Sequence, residues 1–223
     1  MSTMTTKPAL ILGSASPARR ATLSAAQIAH TVHVSHVDED AILEDLRASA
    51  QAANQPLTAK DQVAALARAK AQAVAEEVRE NLAGSAVTHP ILVVGCDSMF
   101  DMDGEVVGKP HTPEIARERL RKMSGNPGDL YTGHCVIDVF NGAEAQGVSH
   151  ARVHIGKLSD AEIEAYIASG EPLEVAGSFT IDGRGGPFVE RIEGDHHGVV
   201  GISLPLLRSL LAELGYSITN FWL

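Results

Sequence analysis

A short segment near the start of the chain combines small residues with two arginines. Residues 13–20 read GSASPARR and follow the apolar run 8–12. Ser16 is a favourable N-cap and Pro17 a favourable first helical residue, so free backbone N–H groups should face an anion. Arginines in a first turn oppose the helix dipole unless a phosphate lies there. An ordinary capped helix with solvated arginines is the simpler alternative. The candidate phosphate ligands are Ser14, Ser16, Arg19 and Arg20.

Acidic residues that could activate water or hold a metal stand at two places. Asp97 follows the apolar run 91–96, which predicts a carboxylate at the end of a buried strand, where α/β proteins place ligands. This residue could hold Mg²⁺ or accept a proton from attacking water. Glu39 and Asp38 could supply a second carboxylate, although a solvated acidic turn explains them as well.

Two lysines occupy positions suited to an anion. Lys70 falls on the apolar stripe of a helix predicted over 59–81, so its side chain must either extend to solvent or meet an anion. Lys109 stands between Gly108 and Pro110, in a loop from which a point charge can reach a phosphate. A solvated turn lysine is the alternative at that position.

Histidine and cysteine show no spacing typical of a zinc site. Three histidines, one just before and two within a predicted strand over 31–37, alternate between the two faces of extended chain and cannot all converge on one metal. They are His30, His33 and His36. The role of His196 and His197 is left open. Cys96 and Cys135 lie far apart in apolar segments and are predicted to be buried, reduced thiols.

The composition bounds the class of protein. The 223 residues carry a formal net charge of −10, which disfavours a duplex nucleic-acid binder but not a small anionic substrate. Residues 1–7 are polar, and the apolar runs are far shorter than the roughly 20 residues of a membrane helix. We expect a cytoplasmic protein without membrane or nucleic-acid partners.

Alternating strand and helix signals predict an α/β protein with a mixed sheet. The predicted strands are 8–13, 31–37, 91–96, 131–140 and 147–156. The predicted helices are 17–28, 59–81, 112–124, 160–169 and 206–214, with 41–57 helical or loose and 177–201 a mixture of loop and strand. An Asp103-Gly104 hairpin turn and an Asn141-Gly142 turn are expected between strands.

Several of these pieces stand in the order found in one family. The segments are GSASPARR at 13–20, GCDS at 95–98, GKP at 108–110, SG at 124–125, YTG at 131–133, GEPL at 170–173 and AG through VERIEG at 176–194. The chain thereby resembles Maf proteins over about residues 9–205. The resemblance implies one domain over 1–223 with an N-terminal tail, 1–8. Its elongated mixed β-sheet, flanked by helices, should form two lobes around a central cleft, as in inosine-triphosphate pyrophosphatases.

The resemblance also implies an activity and roles for residues. It implies a nucleoside triphosphate pyrophosphatase that releases a monophosphate and pyrophosphate, uses Mg²⁺ or Mn²⁺ and forms a homodimer. Asp97 matches the proton acceptor, and Ser14, Ser16 and Arg19 match the phosphate loop. The other polar active-site positions match Glu39, Lys70 and Lys109. Glu39 and Asp97 are the expected metal ligands.

Three departures bear on the substrate. Members that use dTTP and UTP carry arginine, threonine and glutamine where this chain has Ala18, Ser98 and Asp182. A branch that prefers 7-methyl-GTP carries tryptophan at the position of Ala18. Asp182 could accept from a base amino or imino group. We therefore expect a non-standard or modified nucleotide. The house-cleaning role suggested for the family fits such a substrate. The alternative is a non-catalytic nucleotide-binding regulator of cell division, since members of the family were historically called septum-formation inhibitors.

Overall fold

The computed structural model describes residues 7–223, so most of the predicted tail 1–8 lies outside the described residues. The strands are β1 (Ala9–Leu12), β2 (Thr31–Val32), β3 (Ile91–Met102), β4 (Glu105–Val107), β5 (Pro127–Asp138), β6 (Glu144–Ile155) and β7 (Val189–Gly194). The helices are α1 (Pro17–Ala25), α2 (Glu39–Ala52), α3 (Ala59–Asn81), α4 (Pro113–Met123), α5 (Asp160–Ala168), α6 (His196–Val200) and α7 (Leu204–Glu213). Short 3₁₀ turns occupy Glu171–Glu174, Ala176–Ser178, Gly186–Phe188 and Ile218–Phe221.

The strands form one mixed sheet, which confirms the predicted α/β class. Their order is β2-β1-β3-β5-β6-β7, and β4 pairs with β3. Strand β1 runs parallel to both β2 and β3, whereas the β3–β4 and β6–β7 pairs are antiparallel. The β3–β4 turn contains Asp103 and Gly104 with positive φ values of 53° and 87°. These values fit the type I′ hairpin turn predicted from the Asp-Gly pair.

The chain divides into two compact units. The first contains the described residues up to Asp97, Gly133–Val148 and Leu204–Leu223. The second contains Ser98–Thr132 and Ser149–Ser203. The predicted lobes and central cleft stay a prediction. Among the described helices, none combines the length and apolar character needed to cross a membrane.

Within the first unit, helix α3 packs directly on the sheet. The apolar stripe predicted from its sequence is buried, and the helix ends are those predicted. A Cβ atom on Gly95 would lie 2.3 Å from the Ala67 carbonyl oxygen, and one on Gly133 would lie 2.1 Å from that of Val63. Only glycine allows this approach of strand and helix backbones. The contact places the middle of α3 against β3.

Within the second unit, helices α4 and α5 cover an aliphatic and aromatic core. Phe100, Leu120, Val153 and Ile163 are buried members of that core. Ser159 and Glu162 form a capping box at the start of α5. Thr112 caps α4, and Pro113 stands in the first turn of that helix.

Several predicted elements are wrong in their bounds. Strands β5 and β6 begin at Pro127 and Glu144 instead of residues 131 and 147, and the segment 177–201, predicted as loop and strand, also contains helix α6. Three further differences have a clear physical reason. The strand predicted over 31–37 is paired only at Thr31–Val32, and the side chains of Val32 and Val34 are exposed. Helix α1 ends at Ala25 instead of residue 28, because Gln27 has a positive φ of 56°. Asp97 does not end its strand: β3 continues to Met102, because its last residues pair with β4.

Candidate active site

The first turn of α1 forms the predicted capped N-terminus in the first unit. The Ser16 hydroxyl accepts a hydrogen bond from the Arg19 backbone N–H at 3.4 Å. The Arg19 guanidinium folds back, and its Nη1 donates to Ser14 Oγ and to the Cys96 carbonyl oxygen, each at 2.9 Å. Arg20 is exposed and Ala18 half-buried. The first turn contains no acidic residue, so its dipole and its arginines share one positive sign.

A buried charged cluster lies in the same unit, between α3 and β3. Lys70 Nζ donates to Asp97 Oδ1 at 2.6 Å and lies 2.8 Å from Glu39 Oε1. The Lys70 and Asp97 side chains are 10% and 12% exposed, and that of Glu39 is 50% exposed. Of the two alternatives for Lys70, the structure therefore shows the one in which the ammonium meets anions. Asp38, the other acid considered, caps α2 by accepting from the Ala41 N–H.

Opposing influences act on the Asp97 carboxyl group. Burial, the largest of them, raises its pKa, and the nearby Glu39 carboxylate adds to that rise. Lys70 and Arg19 act in the opposite sense without cancelling it, so the pKa of Asp97 lies above its ordinary value. A carboxylate with a raised pKa is a stronger base than an exposed one, which suits proton abstraction from water.

The neighbouring thiol does not compete as a nucleophile. Burial raises the pKa of Cys96 to about 12, so its thiol stays protonated at neutral pH. Cys135 is also buried with its pKa raised to about 12. Both cysteines are free, as predicted.

Three predicted site residues belong to the second unit. Lys109 is exposed in the segment between β4 and α4, where Arg119 Nη1 donates to the Gly108 carbonyl at 2.7 Å. Asp182 is exposed in an irregular loop over residues 180–185. The Ser98 hydroxyl lies 2.8 Å from Thr132 Oγ1. The structure thus brings six predicted residues together in the first unit, namely Ser14, Ser16, Arg19, Glu39, Lys70 and Asp97.

Two polar residues of the second unit, Thr132 and Glu171, were not predicted from the sequence. Thr132 is fully buried and donates from its hydroxyl to the Gly198 carbonyl at 2.8 Å, beside its contact with Ser98. Glu171 accepts four hydrogen bonds around the loop that carries Asp182. Both residues lie in segments that carried the resemblance, YTG and GEPL, but nothing in these short strings indicates their partners.

The residues that could hold a metal ion are the carboxylates Glu39 and Asp97. Residues 7–223 hold no group of three or more His, Cys, Asp or Glu side chains suited to a metal. His33 lies 2.6 Å from Glu77, and the rings of His196 and His197 meet edge to face at 5.4 Å. Glu39 and Asp97 each direct a carboxylate oxygen at Lys70 Nζ. Two converging carboxylates fit Mg²⁺ or Mn²⁺, which take one or two protein carboxylates together with substrate phosphates.

Comparisons with known proteins agree with this architecture. A family model described as Maf-like protein matches residues 9–214, and the chain belongs to that family. A nucleoside triphosphate pyrophosphatase of Nocardia farcinica is 51% identical over 217 residues, covering 96% of each chain. The enzyme of that name from Salinispora tropica is 49% identical over 96% of this chain and 87% of its own. That from Streptomyces coelicolor is 45% identical over 96% and 94%.

Proposed function

We propose that this protein is a hydrolase that converts a nucleoside triphosphate into a nucleoside monophosphate and pyrophosphate. The observation that carries the proposal is the buried Asp97 carboxylate, held at 2.6 Å by Lys70 in the unit that contains the capped, arginine-bearing helix N-terminus. A base of raised pKa and an anion-binding helix start are what water attack on a phosphate requires. The names of the Nocardia, Salinispora and Streptomyces relatives support this reaction class.

The reaction begins with a water molecule in line with the α-phosphorus. Asp97 accepts a proton from this water as the new P–O bond forms, and the bond from the α-phosphorus to the bridging oxygen breaks. Pyrophosphate leaves with that bridging oxygen. Arg19 is held in place by Ser14 and the Cys96 carbonyl, so its guanidinium can balance phosphate charge with little reorganisation. Ser16 caps the helix whose N–H groups face the phosphates.

A divalent cation is proposed as the cofactor, and Glu39 and Asp97 are the residues that would hold it. When bound, Mg²⁺ or Mn²⁺ supplies charge neutralisation on the phosphate oxygens. Lys70 occupies the position between both carboxylates in the free protein. Its four-carbon stem lets the ammonium turn from carboxylate to phosphate as the substrate enters.

The substrate is proposed to be a non-standard or modified nucleoside triphosphate. Ala18 lacks the guanidinium of the arginine in dTTP- and UTP-using members, and Asp182 replaces an amide by an acceptor-only carboxylate, whereas Ser98 keeps the hydroxyl of their threonine. Such an acceptor suits a guanine- or cytosine-like edge. Lys109 is proposed as a second phosphate-binding cation. From the resemblance and the net charge of −10 we further propose a cytoplasmic homodimer that binds no nucleic acid.

Product analysis on a panel of nucleotides tests the reaction. With Mg²⁺ present we expect pyrophosphate and a monophosphate, and we expect release to stop after chelation. Orthophosphate with a diphosphate would contradict attack at the α-phosphorus. A wild-type protein that binds nucleotides but releases nothing from any of them would support the non-catalytic regulator instead.

A further inference from the structure

The loop that carries Asp182 is held by one carboxylate of the second unit. Residues 180–185 form no strand or helix, and Gly183 and Gly185 give the segment little intrinsic rigidity. The Glu171 side chain nevertheless binds both ends of the segment. Its Oε1 accepts from the Thr180 hydroxyl at 2.5 Å and from the Gly185 N–H at 3.0 Å. The loop is thereby closed across a single side chain.

Two further donors complete the coordination of this carboxylate. Glu171 Oε2 accepts from the Arg184 N–H at 2.9 Å, and Oε1 also accepts from the Tyr166 hydroxyl at 3.0 Å. The Tyr166 oxygen accepts in turn from the Thr180 N–H at 3.1 Å. The carboxylate accepts four hydrogen bonds, three at Oε1 and one at Oε2, and four is about the number that a carboxylate can accept. Its geometry therefore assigns it to holding the loop and not to chemistry.

The loop backbone is fitted closely to this side chain. A Cβ atom on Gly183 would lie 2.7 Å from Glu171 Oε2, and one on Gly185 would lie 2.5 Å from the Tyr166 hydroxyl. Burial acts to raise the pKa of Glu171, but the four hydrogen bonds outweigh it and lower the pKa. The carboxylate is accordingly ionised at neutral pH, and charge-assisted hydrogen bonds are the stronger kind.

The same 3₁₀ turn holds the other predicted substrate segment of this unit. The Leu173 carbonyl accepts from the His111 N–H at 3.1 Å, two residues after Lys109. Arg119 binds the Gly108 carbonyl on the other side of Lys109. The turn Glu171–Glu174 therefore contacts both the Lys109 segment and the Asp182 loop.

We propose that Glu171 is a positioning residue for nucleotide selection, because it fixes the loop from which Asp182 meets the base. This inference rests on the proposed function and on the substrate role of Asp182. In this proposal Glu171 acts through the loop that it holds and not by contact with the nucleotide. Its effect should appear in KM and in the preference among nucleotides, whereas the chemical step at Asp97 should be little changed.

Glu171→Gln and Glu174→Gln form a matched pair that tests the proposal. Both remove one charge from the same turn, but the Glu174 side chain is 71% exposed. Its one ion-pair contact within the described residues is from Oε1 to His111 Nδ1, at 3.9 Å. An amide in place of Glu171 turns a donor toward backbone N–H groups. We expect KM for the preferred nucleotide to rise about tenfold and preference over the next nucleotide to fall similarly, as the loss of charged hydrogen bonds predicts. We expect kcat within about threefold and Glu174→Gln close to wild type.

Hydrogen exchange at the Arg184 and Gly185 amides gives a second readout. These amides should exchange faster in Glu171→Gln and at the wild-type rate in Glu174→Gln. Thr180→Val, which removes one donor and keeps the shape, gives a milder variant if Glu171→Gln folds poorly. Unchanged exchange, or faster exchange with unchanged nucleotide preference, would overturn the inference. If the wild-type protein turns over no nucleotide, the proposed function fails. Hydrogen exchange then still tests whether Glu171 positions the loop. Wild-type exchange rates at the Arg184 and Gly185 amides in Glu171→Gln would show that it does not.

Discussion

Asp97 in the first unit and Glu171 in the second are both shielded carboxylates, yet their surroundings shift their pKa values in opposite directions. Asp97 is buried with one close ammonium and a second carboxylate nearby, and its pKa is raised. Glu171 accepts four hydrogen bonds, and its pKa is lowered. The number of donors, more than burial, decides which carboxylate remains reactive and which becomes a structural tie.

The largest expected effect is on turnover at Asp97. Asp97→Asn keeps the side-chain shape but removes the base, so kcat should fall about 10²–10⁴-fold. The same substitution should also change how the stability of the fold depends on pH. Since the folded-state pKa of Asp97 is raised above 3.8, its ionisation weakens the wild-type fold as pH rises through that pKa. The variant should therefore gain in relative stability toward neutral pH. Pyrophosphate release measures kcat, and urea unfolding between pH 4 and 8 measures the stability difference. Near-normal turnover of Asp97→Asn would show that Asp97 is not the base.

The next effect concerns the partner of that carboxylate. Lys70→Met leaves Asp97 buried beside Glu39 without an ammonium, and breaking such a pair costs about 3–5 kcal/mol of unfolding free energy. The acidic limb of the rate profile should move to higher pH, because Lys70 lowers the pKa of Asp97.

A double-mutant cycle provides the control for this pair. Lys70→Met combined with Asp97→Asn should lose less stability than the sum of the single variants, because no unpaired buried charge remains. Additive losses in urea unfolding would show that the two side chains are energetically independent.

The smallest effect is the pH dependence of stability at Glu171. The lowered pKa means that its contribution is complete above about 4.5 and is lost as pH falls through the folded-state value. Glu171→Gln should therefore be less stable than wild type at pH 7, by about 1–3 kcal/mol. The gap should narrow below pH 4.5. Thermal unfolding at pH 7 and pH 3 measures it, and a gap that widens in acid would contradict the assignment.

Local signals predicted the fold where structure depends on nearby residues. The ends of α3, the Ser16 cap and the Asp103-Gly104 turn follow from neighbouring side chains and were confirmed. The strand over 31–37 was wrong because alternation cannot supply a pairing partner. Asp97 was placed at a strand end because the apolar run stops there, although pairing with β4 extends the strand.

The sequence indicated which first-unit residues are candidates for a site, but not the contacts that the structure shows between them. The apolar stripe indicated that Lys70 needed an anion, but α3 and β3 are far apart in sequence and their register fixes the partner. The role of Glu171 could not be predicted, because three of its four donors stand 9 to 14 residues away and two are backbone N–H groups. Every residue except proline has a backbone N–H group, so the residue types do not indicate which of these groups bind Glu171.

The Arg19 guanidinium is anchored by the backbone carbonyl oxygen of Cys96 and not by the Cys96 side chain. Every amino acid carries a backbone carbonyl oxygen. A mutation at position 96 therefore changes the buried side chain but not the acceptor of the Arg19 hydrogen bond. Exchanging Cys96 for alanine should therefore leave the hydrogen bond from Arg19 to this carbonyl oxygen in place.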